Sequence, residues 1–100
     1  VNDLDIIDIS KSLSNPVRLK ILNWLKEPEN HFPPHETVKH FNDGVCASYI
    51  QEKAGLSQST ISTYLSMMEK CGLLISTRHG KWSYFKRNEE VIAGYKSYFE

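Results

Sequence analysis

Two helical patterns near the middle of this chain are separated by only three residues, and that break constrains everything around it. From about Ala47 to Ala54 the apolar positions Ile50 and Ala54 lie four apart. From Ser57 onward Ile61, Leu65 and Met68 recur at i, i+4 and i+7. The link, Gly55-Leu56-Ser57, supplies a glycine that can stop the first helix in the left-handed conformation and a serine that can cap the second. So short a link forces a corner, and two helices meeting at such a corner form a helix-turn-helix.

The front of the second helix is spent on Gln58, Ser59, Thr60, Ser62 and Thr63. Hydroxyl side chains compete with the backbone for hydrogen bonds and are mediocre helix formers, so they do little for the helix itself. An ordinary surface helix prefers Glu, Lys and Arg, yet no charge falls between Ser57 and Met68. With Ile61 and Leu65 inward, Ser59, Ser62, Thr63 and Ser66 face outward or lie on the flank, and Gln58 projects from the N-terminus. Small hydroxyls and an amide at a helix N-terminus can enter a DNA major groove and meet base edges and phosphates without bulk. That reading makes Ser57, Gln58, Ser59, Thr60, Ser62 and Thr63 the expected DNA-binding residues of this helix.

The flanking sequence completes an architecture. Ile6, Ile9 and Leu13 give a first helix over 3–13, with Asp3, Asp5 and Asp8 early, where a helix favours negative charge. Asn15-Pro16 starts a second, central helix carrying Val17, Ile21, Leu22, Trp24 and Leu25. The connection over 27–45 is long, and one or two helical turns are expected within 35–41. After Gly72, LLISTR and WSYFKR read as two strands with His79-Gly80 at the turn. Asn88 caps a last helix, over about 88–99, whose Val91, Ile92, Tyr95, Tyr98 and Phe99 make it strongly one-sided. The expected fold is mainly α with a small β-hairpin wing, in the order helix, helix, helix-turn-helix, hairpin, helix: a winged helix-turn-helix.

Length and charge agree. One hundred residues suit a single domain, 1–100. The formal net charge is zero, but Lys53, Lys70, Arg78, Lys81, Lys86 and Arg87 share the span 53–87 with only one acid, Glu69. A neutral total therefore conceals a basic segment where an anion could dock. Its hairpin places Arg78, His79 and Lys81 at or near the tip, within expected reach of flanking phosphates or the minor groove. No apolar run is long enough to span a membrane. The acidic opening VNDLDIIDIS lacks the build of a secretory signal, and the missing initiating Met suggests trimming. Two cysteines, Cys46 and Cys71, read as free thiols in a reducing, cytoplasmic setting.

Three segments together resemble a known family. LSNPVRLKILNWL (13–25) resembles the second-helix signature of ArsR-type bacterial transcriptional repressors, SQSTISTYLSMMEKCGLL (57–74) their recognition helix and its exit, and RHGKWSYFKRN (78–88) their wing. The family commonly has His where this chain has Tyr64. The resemblance implies a homodimer built from the first and last helices, bound to a palindromic operator and released by a small effector, often a metal ion. The apolar excess of the last helix supports that interface, for which Ile6, Val91, Ile92, Tyr95, Tyr98 and Phe99 are the expected residues.

A resident metal or cofactor is not expected. Arsenic-sensing relatives carry a Cys-x-Cys pair where this chain has Val45-Cys46-Ala47, and one thiolate cannot chelate a soft metal alone. Zinc-sensing relatives use His and acids on the last helix, which here has Glu89, Glu90 and Glu100 but no His. His31, His35 and His40, in the long connection, do not share one helical face and are expected to be solvent-exposed. Cys46 remains the candidate for a redox- or electrophile-sensing effector site. A protein-binding winged-helix module is the alternative function, disfavoured by the basic hairpin segment. No nucleophile–base pair, phosphate loop or paired acids support an enzyme.

Overall fold

Side chains placed at helix ends set most of the architecture. The computed structural model describes residues 1–100, the side chain of Leu4 excepted. Asn2 caps α1 (Asp3–Leu13) through a capping box: its side chain accepts from the Asp5 N–H, and the Asp5 carboxylate accepts from the Asn2 N–H, both at 3.0 Å. Asn15 caps α2 (Pro16–Trp24) by accepting from the Val17 and Arg18 N–H groups. Ser57 caps α4 (Gln58–Lys70) by accepting from the Thr60 N–H, and Asn88 caps α5 (Glu89–Tyr98) by accepting from the Val91 N–H. Each such cap contributes about 1 kcal/mol. Gly55 ends α3 (Ala47–Ala54) at φ +69°, the left-handed conformation that glycine adopts without a Cβ penalty.

The core is shared by all four of the first helices and the sheet. Ile9 of α1, Ile21 of α2, Ile50 of α3 and Met68 of α4 are fully buried, with Ile61, Leu65, Leu73 and Leu74 close behind. Burying Leu65 alone is worth about 1.5–3 kcal/mol relative to exposure. Val91, Ile92 and Tyr95 of α5 pack half-buried against this core.

The sheet holds one strand more than expected. β2 (Leu74–His79) and β3 (Trp82–Arg87) form the hairpin, and a two-residue strand, β1 (Val45–Cys46), pairs antiparallel with the far edge of β3, giving the order β1-β3-β2. Val45 lies opposite Phe85, and Cys46 opposite Tyr84. The join depends on Gly44 (φ +93°): a Cβ there would fall 1.9 Å from the Phe85 carbonyl oxygen. His79 pairs with Trp82, so the turn consists of Gly80 and Lys81 rather than His79-Gly80.

The long connection differs from expectation in two ways. Its helical turn is a 3-10 turn at Pro28–Asn30, not within 35–41, which carry only bends and irregular backbone. Pro33 and Pro34 force extended backbone just beforehand. His35 is not solvent-exposed but 8 % exposed, wedged against Tyr49, Trp82 and Tyr84. The Thr37 N–H donates to its Nδ1 at 3.1 Å, and the Tyr84 hydroxyl lies 2.9 Å from the same nitrogen. A backbone N–H can only donate, so Nδ1 is the acceptor and the tyrosine donates. His31 and His40 are exposed.

On α1 the outward face is one residue from where it was expected. Ile6 is 9 % exposed, already buried within the protomer, whereas Ile7 is exposed. One residue is a rotation of about 100° on a helix, enough to exchange inside for outside.

Candidate nucleic-acid interface

The buried stripe Ile61, Leu65 and Met68 fixes the outward face of α4. Ser57, Gln58, Ser59, Ser62, Thr63 and Ser66 are all exposed, and Thr60 is half-buried. Their hydrogen bonds divide them. The Ser57 hydroxyl accepts from the Thr60 N–H at 3.2 Å and donates to Thr60 Oγ1 at 2.9 Å, so both residues hold the cap. Ser59 Oγ stands 3.3 Å from Ser57 Oγ. Thr63 Oγ1 donates to the Ser59 carbonyl at 3.0 Å, leaving its methyl and a lone pair for a partner. Gln58, Ser62 and Ser66 make no side-chain hydrogen bond among the described residues. The front of α4 is therefore a set of neutral donors and acceptors, backed by apolar packing and the positive end of the helix dipole.

The wing keeps fewer free cations than its composition implies. Arg87 is held by Glu89 through two bonds of 2.9 and 3.0 Å. Lys86 Nζ donates to the Asn42 carbonyl at 3.4 Å. His79 Nε2 lies 2.7 Å from the Asp43 carboxylate, and its ring meets Tyr84 edge-on, so it ties the wing to the long connection instead of standing free at the tip. Arg78 and Lys81 remain exposed; Arg78 Nε donates to the Gly80 carbonyl at 3.0 Å, and Lys81 Nζ lies 4.9 Å over the Trp82 ring. Glu69, the lone acid of the basic segment, accepts a hydrogen bond from Ser76. A cleft of about 350 Å³ separates α4 from the wing, with Gln58, Ser62 and Ser66 on one wall and Lys81 and Trp82 on the other.

One support of this surface had no sequence signal. Arg18 is buried without an acidic partner, its Nε donating to the Ser12 carbonyl at 2.6 Å and its guanidinium 4.8 Å over the Tyr64 ring. Asn15 Nδ2 donates to the Tyr64 hydroxyl at 3.4 Å. Tyr64 is thus gripped from α2, at the centre of α4.

The cysteines do not form a joint site. Cys46 is 1 % exposed, its Sγ 3.2 Å from Ser48 Oγ, which makes it a buried small residue. Cys71 is half-buried and donates to the Met68 carbonyl. Among the described residues no group of three or more His, Cys, Asp or Glu is placed to hold a metal ion. Burial raises the Tyr84 phenol above its ordinary value, with Cys46 and Tyr49 adding to the effect. Tyr98 is raised mainly by its hydrogen bond to Asp3. Among the described residues no helix is long and apolar enough to cross a membrane.

Known proteins share this arrangement. Residues 45–76, which run from β1 through the helix-turn-helix into β2, match the family described as bacterial regulatory protein, arsR family. The HTH-type transcriptional regulator YbzH of Bacillus subtilis is 47% identical over 89 residues, 89% of either chain. The chain belongs to the ArsR family. It is a DNA-binding helix-turn-helix transcriptional regulator and not an enzyme. Solved structures agree with this ArsR-family fold. The homodimeric winged helix-turn-helix DNA-binding domain of a Mycobacterium bovis protein superposes with a TM-score of 0.68 at 22% identity, covering 92% of this chain and 72% of that one. The transcriptional repressor BigR of Xylella fastidiosa does so with a TM-score of 0.64 at 22% identity, covering 90% and 76%.

Proposed function

We propose that this ArsR-family chain is a dimeric, sequence-specific repressor working in the cytoplasm, bound to a palindromic operator and released by a small effector. The observation that carries the reading is the exposed, uncharged hydrogen-bonding front of α4, anchored from behind by Ile61, Leu65 and Met68. In this reading Gln58, Ser59, Ser62 and Thr63 meet base edges and phosphates, Ser57 and Thr60 hold the helix end that points at the backbone, and Arg78 and Lys81 reach flanking phosphates. His79 serves the wing's attachment and contributes to binding indirectly.

The dimer rests on α1 and α5. Tyr98 and Phe99 are exposed at the end of α5, and Ile7 is exposed on α1. Tyr95 and Tyr98 each meet Phe99 edge-on with ring centroids 5.4 Å apart, a rigid aromatic group suited to an interface. Ile6 is buried within the protomer, and Val91, Ile92 and Tyr95 pack half-buried against its core. A two-fold pair would set its recognition helices ~34–36 Å apart, one turn of DNA. The homodimeric Mycobacterium bovis domain and the repressor BigR share this fold, which supports the reading.

Selection of bound duplexes from a random pool, repeated with metals, oxidants and chelators, tests the whole reading. An enriched palindrome with half-sites about one helical turn apart is expected. Binding that is equal for all sequences would refute it.

A further inference from the structure

A groove of about 620 Å³ runs between α1 and the outer flank of α4, on the side away from the wing. Its volume falls within the ~300–1,000 Å³ typical of small-molecule sites. Its walls are mostly apolar by area, and Met67, itself exposed, is among the side chains that line it. Three observations mark it as more than a gap between helices. Ser12 of α1 lines it, is 0 % exposed, and has a hydroxyl with no hydrogen-bond partner among the described residues. A buried polar group without a partner is costly, and native structures seldom retain one without reason. Lys11 and Lys70 both border the groove, neither forms an ion pair among the described residues, and only Asp8 opposes them in charge. The groove is also edged by Ser62, Thr63 and Ser66, which belong to the outward face of α4.

The geometry points to a binding site for a small organic anion with an apolar body, such as an aromatic carboxylate, in the groove between α1 and α4. The body lies against Met67 and the lysine methylenes. The anionic head meets Lys11 and Lys70, and, because the Ser12 hydroxyl has no open surface in the unbound chain, a side-chain shift at the groove floor accompanies the hydrogen bond it donates to an oxygen of the ligand. An occupant here covers Ser62, Thr63 and Ser66, so ligand and duplex compete for one surface. That last step rests on the DNA-facing role proposed for α4 and gives the effector a place and a chemical class.

Cys71 borders the same groove and provides the readout. The intact chain would be treated with iodoacetamide, without DNA, in the presence of 1-naphthoate or its neutral analogue naphthalen-1-ylmethanol. Naphthoate is expected to slow alkylation of Cys71 in a saturable way, and the alcohol to do so only at much higher concentration. Lys11→Gln with Lys70→Gln should weaken naphthoate binding about tenfold, since each exposed ion pair is worth a few-fold. Ser12→Ala should weaken it about fivefold, the worth of one hydrogen bond, while circular dichroism stays unchanged. Equal protection by the alcohol, or affinity indifferent to the three substitutions, overturns the proposal. So does a Cys71 already inert in the untreated protein, because the groove is then closed by the fold or a second copy. Naphthoate should also release bound duplex; binding without release overturns the competition. A chain that binds no duplex at all overturns the reading of α4 instead, and the alkylation experiment still decides the groove.

Discussion

The guanidinium of Arg18 spans two helices at once: it donates to the Ser12 carbonyl at the close of α1 and lies 4.8 Å over the ring of Tyr64 in α4. A buried cation without a carboxylate is tolerable here because the C-terminal carbonyls of α1 carry partial negative charge and the aromatic face adds its quadrupole. Arg18→Met keeps the packed stem but removes both interactions. It should cost about 2–3 kcal/mol in urea unfolding, and Arg18→Lys, which lacks the planar fork, should recover less than half. Full recovery by lysine would show that charge alone matters at this junction.

Ser62→Ala with Thr63→Ala should weaken operator binding by roughly 1–3 kcal/mol for each base-edge hydrogen bond removed, with little change in thermal midpoint, since both side chains are exposed. Lys81→Ala is the contrasting case. It should weaken binding to all duplexes alike and flatten the salt slope by about one unit. Both follow from titrations over a range of salt. Unchanged operator affinity in the double variant would remove α4 from the interface.

Phe99 is 64 % exposed and touches the rings of Tyr95 and Tyr98 without entering the core. Phe99→Glu should therefore shift the protein to monomer in sedimentation while the protomer stays folded. Tyr95→Glu is a poorer probe, because Tyr95 also lies 2.9 Å from Ser10 and packs on the core, so its loss would damage the protomer itself.

The raised Tyr84 phenol gives a pH dependence with a definite sign. Below pH 10.0, the ordinary tyrosine value, the phenol keeps its proton in both folded and unfolded chains. Above it the unfolded chain releases the proton while burial keeps it in the folded one, so the folded state loses stability as pH rises from the ordinary value through the folded one. Urea midpoints should fall between pH 9 and 11 in the parent. They should fall less steeply in Tyr84→Phe, which starts about 0.5–1.5 kcal/mol lower for its missing bond to His35. Parallel slopes would assign the alkaline loss to other groups.

What the sequence disclosed was what local chemistry decides. Caps at Asn15, Ser57 and Asn88, the stop at Gly55 and the stripe Ile61-Leu65-Met68 act within a turn or two, so they can be read directly. The hydroxyl front of α4 was legible for the same reason: its inward stripe fixes its outward face. Residues governed by distant partners were not. β1 is two residues long and exists because β3 offers an edge. His35 is buried by side chains from α3 and β3, which no periodicity within 27–45 announces. Arg18 reads as one more solvated charge until the end of α1 arrives beside it.

Gly44 gives the long connection a fixed landing point. Since no side chain fits between its backbone and Phe85, the chain must enter the sheet at that position, and Val45 is committed to its place across from Phe85. Residues 36–40 then behave as a strap between two fixed ends, the packed ring of His35 on one side and Phe41, Asn42, Asp43 and Gly44 on the other: its slack can be lengthened or trimmed only between them, while the wing beneath keeps its alignment.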